Sequence, residues 1–107
     1  YLGLFGHEYY ELAEKQFNNV FGALVTFRCG SKERAYRILN ALKLPYILSN
    51  IGDTKTLVIH PASTIAVHLS QEEQEKSGIF EDLIRISVGI EDIEDLKQDF
   101  AQAIRNN

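Results

Sequence analysis

From Glu8 to Phe17 the apolar residues Tyr9, Leu12, Ala13 and Phe17 recur at helical spacing with acids between them, which predicts a short amphipathic helix ending near Asn18-Asn19. Residues 22–29 alternate instead. Ala23, Val25, Phe27 and Cys29 share one face and Leu24, Thr26 and Arg28 the other, the period of a half-buried strand. Gly30 breaks that strand and Ser31 is placed to cap a second helix, in which Ala35, Ile38, Leu39 and Leu42 follow at helical spacing until Pro45 forbids continuation. Tyr46-Ile47-Leu48 and Thr56-Leu57-Val58-Ile59 read as short strands around the turn chemistry of Asn50-Ile51-Gly52-Asp53, and Pro61 closes the second of them. Ser70 and Glu73 have capping-box spacing ahead of an acidic, solvated helix that Gly78 ends. Leu83 to Val88 alternates again, with Ile84, Ile86 and Val88 facing one way and Leu83, Arg85 and Ser87 the other. Ile90, Ile93, Leu96, Phe100 and Ile104 then step by three or four residues through a final helix whose first turns carry Glu and Asp, the favourable end of the helix dipole.

This order of elements predicts an α/β (α+β) fold, a two-layer sandwich with a small, mainly antiparallel sheet and helices on one face. Its core is expected where Val25, Phe27 and Ile86 meet Ile38, Leu42, Leu96 and Phe100. At 107 residues the chain is one domain, with no linker or internal repeat. A formal charge of −4, with the acids concentrated in residues 71–99, argues against a surface that tracks nucleic-acid phosphates. No apolar run is long enough for a membrane span. The single cysteine, Cys29, allows no internal disulfide and suggests a reducing, cytoplasmic location. The chain has no methionine and opens at Tyr1, so it is expected to be part of something longer.

Common catalytic motifs are missing: there is no Gly-rich phosphate loop, no nucleophile elbow and no H-E-x-x-H. His7, His60 and His68 fit no helical ligand pair, so they read as surface or hydrogen-bonded histidines and no metal is expected. Arg85 is the most informative side chain, because alternation puts it opposite Ile84, Ile86 and Val88, where it meets solvent or lines a site. Its planar fork suits bidentate recognition of a carboxylate. Pattern alone favours an exposed strand arginine or a partner for one of the many acids. Asn50 and Gly52 read as turn residues and Ser63 as a loop hydroxyl.

Two longer blocks carry more. Ser49-Asn50-Ile51-Gly52-Asp53-Thr54-Lys55-Thr56-Leu57-Val58-Ile59-His60-Pro61-Ala62-Ser63-Thr64 and Leu83-Ile84-Arg85-Ile86-Ser87-Val88-Gly89-Ile90-Glu91-Asp92 resemble the small C-terminal domain of the Cys/Met metabolism family of pyridoxal-phosphate enzymes, the trans-sulfuration enzymes of fold type I. Tyr1-x-Gly3-Leu4, Glu11-Leu12-Ala13 and Phe21-Gly22-Ala23 resemble the family's entry into that domain, and Ile90 to Ala103 its closing helix. The resemblance implies that residues 1–107 are a single C-terminal, substrate-carboxylate-binding domain whose larger cofactor-binding domain lies elsewhere. It implies that Arg85 holds the α-carboxylate of an amino acid substrate and that Asn50 contacts the same group, largely through its backbone, with Ser63 as a possible lining residue. Asn50 followed by the G-D-x-K-T-L-V-I-H-P-A-S-T run looks more like the O-acetylhomoserine sulfhydrylase branch, since the lyase branch commonly has Ser there. Methionine γ-lyase and the cystathionine γ-synthase and γ-lyase branches are the alternatives.

After Ser63-Thr64 the chain departs from the family, with Ile65-Ala66-Val67-His68 where Thr and His often follow. The family holds pyridoxal 5'-phosphate through a lysine in an S-x-[TS]-K motif of the larger domain, and none of Lys15, Lys32, Lys43, Lys55, Lys76 or Lys97 sits in such a motif. This chain alone is therefore expected to be inactive and to carry no catalytic or cofactor-binding residue, the lysine being both anchor and proton carrier. The resemblance further implies a homotetramer and contact with the rest of the same chain, with no nucleic acid or membrane partner. A free-standing α/β ligand-binding or interaction module, with Arg85 structural or anion-binding, is the reading from a different class.

Overall fold

The computed structural model describes residues 1–107. Helix α1 (Tyr10–Phe17) ends where Asn18 and Asn19 both turn left-handed, at φ 48° and 64°, a conformation asparagine tolerates better than most residues. Strand β1 (Leu24–Arg28) leads through Gly30, at φ 92°, into α2 (Lys32–Ala41), whose Ser31 hydroxyl accepts from the Arg34 amide. Strands β2 (Tyr46–Ile47) and β3 (Leu57–Ile59) follow, then a 3₁₀ turn at Pro61–Ser63. Helix α3 (Gln71–Lys76) carries the full capping box of Ser70 and Glu73 and buries none of its residues. Strand β4 (Leu83–Ser87) and helix α4 (Ile93–Arg105), capped by Asp92, complete the chain. No helix is long and apolar enough to cross a membrane.

The sheet order is β1-β4-β3-β2, with β4 antiparallel to both of its neighbours and β2 parallel to β3. Val25, Ile86 and Val58 face one another across three strands, and Phe27 lies opposite Ile84. On this inner face Val58, Ile84 and Ile86 pack with Ala35, Ile38 and Leu39 of α2 and Ala103 of α4. Each fully buried aliphatic there contributes about 1.5 to 3 kcal/mol. Val25, Phe27, Leu42 and Phe100 border that cluster and are only partly buried, whereas Leu96 is fully buried.

The structure departs from the sequence pattern in three places. Helix α1 buries only Ala13 and leaves Tyr9, Leu12 and Phe17 exposed. A sheet of four strands is roughly 15 to 20 Å wide, room for two packed helices, and α2 and α4 already occupy it. Ile90 precedes α4, and Ile93 and Ile104 lie on its open side, so the core-facing stripe is Leu96, Phe100 and Ala103. Ser87, expected on the wet face, is 2% exposed. That outer face is not bare: the turn of residues 49–53 is bonded across it and the 3₁₀ turn packs against β4. Leu57 and Ile59 are buried there with Ser87.

Two buried acids fasten elements together. Asp99 accepts the Lys43 and Leu44 amides, 2.9 and 2.8 Å away, while Gln102 bonds both Asp99 and the Ala41 carbonyl, so α4 secures the chain as it leaves α2. Asp82 accepts from Arg28 Nε at 2.8 Å and from the Gly30 amide at 3.0 Å, which ties the end of β1 to the start of β4.

Candidate functional site

Arg85 is the middle residue of β4, in register with Thr26 on one side and Ile59 on the other. Its Nη2 donates to the Ser49 carbonyl at 2.8 Å. Its Nε is buried and has no partner. The chain's ion pairs join Arg28 to Asp82, Lys76 to Glu72 and Lys97 to Glu94, and none involves Arg85. Arg85 is thus half-buried, bonded to the turn through Nη2 and without an acid partner. A buried donor left unpaired costs about 1 to 3 kcal/mol, and more when charged, so the guanidinium is short of an acceptor that the chain itself does not supply. A planar anion such as a carboxylate matches that deficit.

The Ser49 bond brings the turn that carries Asn50 beside Arg85. Asn50 is exposed and its side chain makes no hydrogen bond within the chain. The rest of the turn is tightly held. Gly52 takes φ 76° and its amide donates to the Ser87 hydroxyl at 3.2 Å. Asp53 Oδ1 accepts from the Lys55 amide at 3.1 Å, and the Ile90 amide donates to the Thr54 carbonyl at 3.0 Å. Thr56 donates to Glu91 through both its amide and its hydroxyl, each at 2.7 Å, and its hydroxyl accepts from the Gly89 amide at 2.9 Å. Burial pushes the Glu91 carboxyl up, but the Thr56 hydrogen bonds, its own backbone amide and the Lys55 charge together hold the group below the ordinary glutamate value. The two sequence blocks are thus one physical unit, in which the second clamps the turn of the first.

Ser63 lies elsewhere. Its hydroxyl is 2.8 Å from His60 Nδ1, and His60 Nε2 is 2.6 Å from the Glu81 carbonyl. A carbonyl oxygen only accepts, so Nε2 donates to Glu81, and Nδ1 is hydrogen-bonded to the Ser63 hydroxyl. His60 is a buried histidine with both nitrogens satisfied, edge-on to Tyr36 in a cleft shared with Lys32 and Gln74. No bond links this cleft to Arg85. In the departing segment Ala66 is buried while Ile65, Val67 and His68 are exposed. The three histidines lie apart, and no group of His, Cys, Asp and Glu is placed to hold a metal ion.

All six lysines are exposed, with Lys76 and Lys97 paired to Glu72 and Glu94 and Lys32 and Lys55 set over the Tyr36 and Tyr46 rings. Sequence reasoning missed Ser87, because strict alternation assigns it to solvent. The faint signal was its place two residues from Arg85 on the same face.

Residues 1–105 match the family model for Cys/Met metabolism PLP-dependent enzymes. The chain is 47% identical to homocysteine synthase of Schizosaccharomyces pombe over 105 residues, 97% of this chain and 24% of that protein. It is 45% identical to O-acetyl-L-homoserine sulfhydrylase 1 of Thermus thermophilus, again over 97% of this chain and 25% of the relative. A solved Campylobacter jejuni structure described as an O-acetylhomoserine (thiol)-lyase with N'-pyridoxyl-lysine-5'-monophosphate superposes with a TM-score of 0.91 at 39% identity, covering 98% of this chain and 25% of that one. The chain thus spans about a quarter of the length of the relatives it matches. With a matching fold and both sequence blocks joined in one clamp, it belongs to the Cys/Met metabolism family of pyridoxal-phosphate-dependent enzymes.

Proposed function

We propose that residues 1–107 are the C-terminal, substrate-carboxylate-binding domain of an O-acetylhomoserine sulfhydrylase. The whole enzyme replaces the γ-acetoxy group of O-acetylhomoserine with sulfide or a thiol, releasing acetate and giving homocysteine or methionine. The observation that carries this reading is Arg85, a half-buried guanidinium with an unpartnered Nε, no acid beside it, and one Nη bonded to the turn of Asn50. Arg85 binds the α-carboxylate and the Asn50 backbone meets the same group from the turn. Together they fix the amino acid's orientation, which aligns the bonds that must break. Pyridoxal phosphate, held by a lysine of the larger part of the protein, supplies the electron sink for that chemistry. The enzyme works as a homotetramer in the reducing cytoplasm. The chain by itself is inert.

In the full-length enzyme, Arg85→Ala lowers kcat/KM for O-acetylhomoserine by roughly 10² to 10⁴ while the cofactor's visible spectrum is retained. Arg85→Lys recovers part of the loss, because an ammonium keeps the charge but not the fork. A kcat/KM within about threefold of the parent, or loss of the cofactor itself, would show that Arg85 has another role. Thiol-independent release of ammonia and a 2-oxo acid as the main reaction would move the protein to the lyase branch.

A further inference from the structure

Building on the carboxylate reading, we infer that Ser87 is a positioning residue for substrate: its buried hydroxyl holds the turn of Asn50 in place beside Arg85. The two residues are two apart on β4 and so point to the same face of the sheet. Arg85 Nη2 grips the turn at the Ser49 carbonyl, 2.8 Å away, and Ser87 Oγ grips it at the Gly52 amide, 3.2 Å away. Between the two grips lie only Asn50 and Ile51. Both ends of the carboxylate-facing turn are therefore fastened to one strand, the strand that also carries the guanidinium.

The surroundings of Ser87 support this role. It lies in register between Leu24 of β1 and Leu57 of β3 and is 2% exposed. A hydroxyl buried between leucines is unfavourable unless it is hydrogen-bonded, and the Gly52 amide is the partner it has. An alanine would suit the apolar neighbours but would leave the Gly52 amide without its acceptor. Turn and arginine would then no longer hold a common register. Ser87 touches no reacting atom and acts on substrate only through the turn, so its loss is felt first in how tightly the substrate is held.

The test uses the full-length holoenzyme with O-acetyl-L-homoserine and sulfide. Ser87→Ala raises KM for O-acetyl-L-homoserine roughly three- to tenfold, the worth of one neutral hydrogen bond, with kcat within about twofold and KM for sulfide unchanged. The cofactor spectrum and melting temperature are read on the same samples. Ser87→Thr keeps the hydroxyl and restores KM toward the parent, whereas Ser87→Cys, close in size but a weak acceptor, follows alanine. The inference is overturned if Ser87→Ala leaves KM unchanged, lowers kcat instead, or loses cofactor, or if Cys behaves like the parent. Arg85→Ala measured alongside separates the two proposals. If it cripples kcat/KM while Ser87→Ala does nothing, only the positioning role fails; if neither matters, the carboxylate reading falls as well.

Discussion

A methyl group on Gly89 would sit 2.5 Å from the Lys55 carbonyl carbon and 2.5 Å from the Thr54 oxygen, both backbone atoms that cannot swing aside. Glycine is needed there for close approach and not for an unusual φ. Gly89→Ala must push the 54–56 segment away from Glu91, at about 1 to 3 kcal/mol by analogy with other overpacked sites, and equilibrium unfolding in urea reads that loss. Arg85 was legible at this scale as far as its face, because strand alternation decides sides. A role for it came only from the family resemblance, and the missing acid partner and bare Nε are what the structure adds. Asn50 was legible as a turn residue, and the Ser49 bond supplies what spacing could not, its position beside Arg85. Ser63 was legible as a loop hydroxyl and, through the resemblance, as a possible lining residue; the fold bonds it to His60.

Among the elements, α4 shows how a helical stripe overstates a core. Ile93 and Phe100 belong to one spacing pattern, yet Ile93 is 59% exposed while Phe100 packs against the buried cluster. Phe100→Ala is expected to cost about 2 to 3 kcal/mol, below the about 3 to 5 of a fully buried phenylalanine, and Ile93→Ala within about 0.5. Thermal or urea unfolding of the pair checks the contrast. Equal losses would put Ile93 in the core. Helix α1 makes the same point more strongly, because a helix pattern specifies an apolar side and says nothing about whether the chain supplies a surface to cover it. The capping residues Ser31 and Ser70 behave as their sequence spacing requires, since a cap bonds within three residues and needs no tertiary partner.

For the whole molecule, the response to acid is set by the Glu73 carboxyl of the exposed α3 cap, which the Ser70 hydrogen bonds hold below its ordinary value, and by three acids that join distant segments. Burial pushes Asp82, Glu91 and Asp99 up, but hydrogen bonds hold all three below their ordinary values: from Arg28 and Gly30 to Asp82, from Thr56 to Glu91, and from Leu44, Lys43 and Gln102 to Asp99. A depressed folded-state pKa adds stability that is fully present above the unfolded value, about 4, and is lost as pH falls through the folded one. Stability should therefore be level above about pH 5 and decline below about pH 4. Asp99→Asn removes part of that acid-sensitive contribution and costs about 1 to 3 kcal/mol at neutral pH, because its amide oxygen can keep the two backbone bonds only by turning the amide nitrogen toward the Gln102 Nε2 donor. Unfolding curves between pH 3 and 7 that are parallel for parent and variant would show that the Asp99 charge does not matter.

Local order was written in the chain itself: which segments are helix or strand, where they stop, which side of each is apolar, and that the blocks around Asn50 and Arg85 are those of a family. These depend on neighbours within about four residues, where backbone geometry and side-chain chemistry act directly. Tertiary structure alone decided the pairing of β4 between β1 and β3, the burial of Ser87, Asp82 and Asp99, the two-sided hold of Glu91 on Thr56, and the exposure of α1. Each of these joins residues far apart in sequence, and whether a polar group there is buried or a helix face covered depends on what the fold brings opposite it. The same reason applies to Arg85: alternation chose its side of the strand, and only the fold brought the Ser49 carbonyl to its Nη2 and left its Nε buried without a partner.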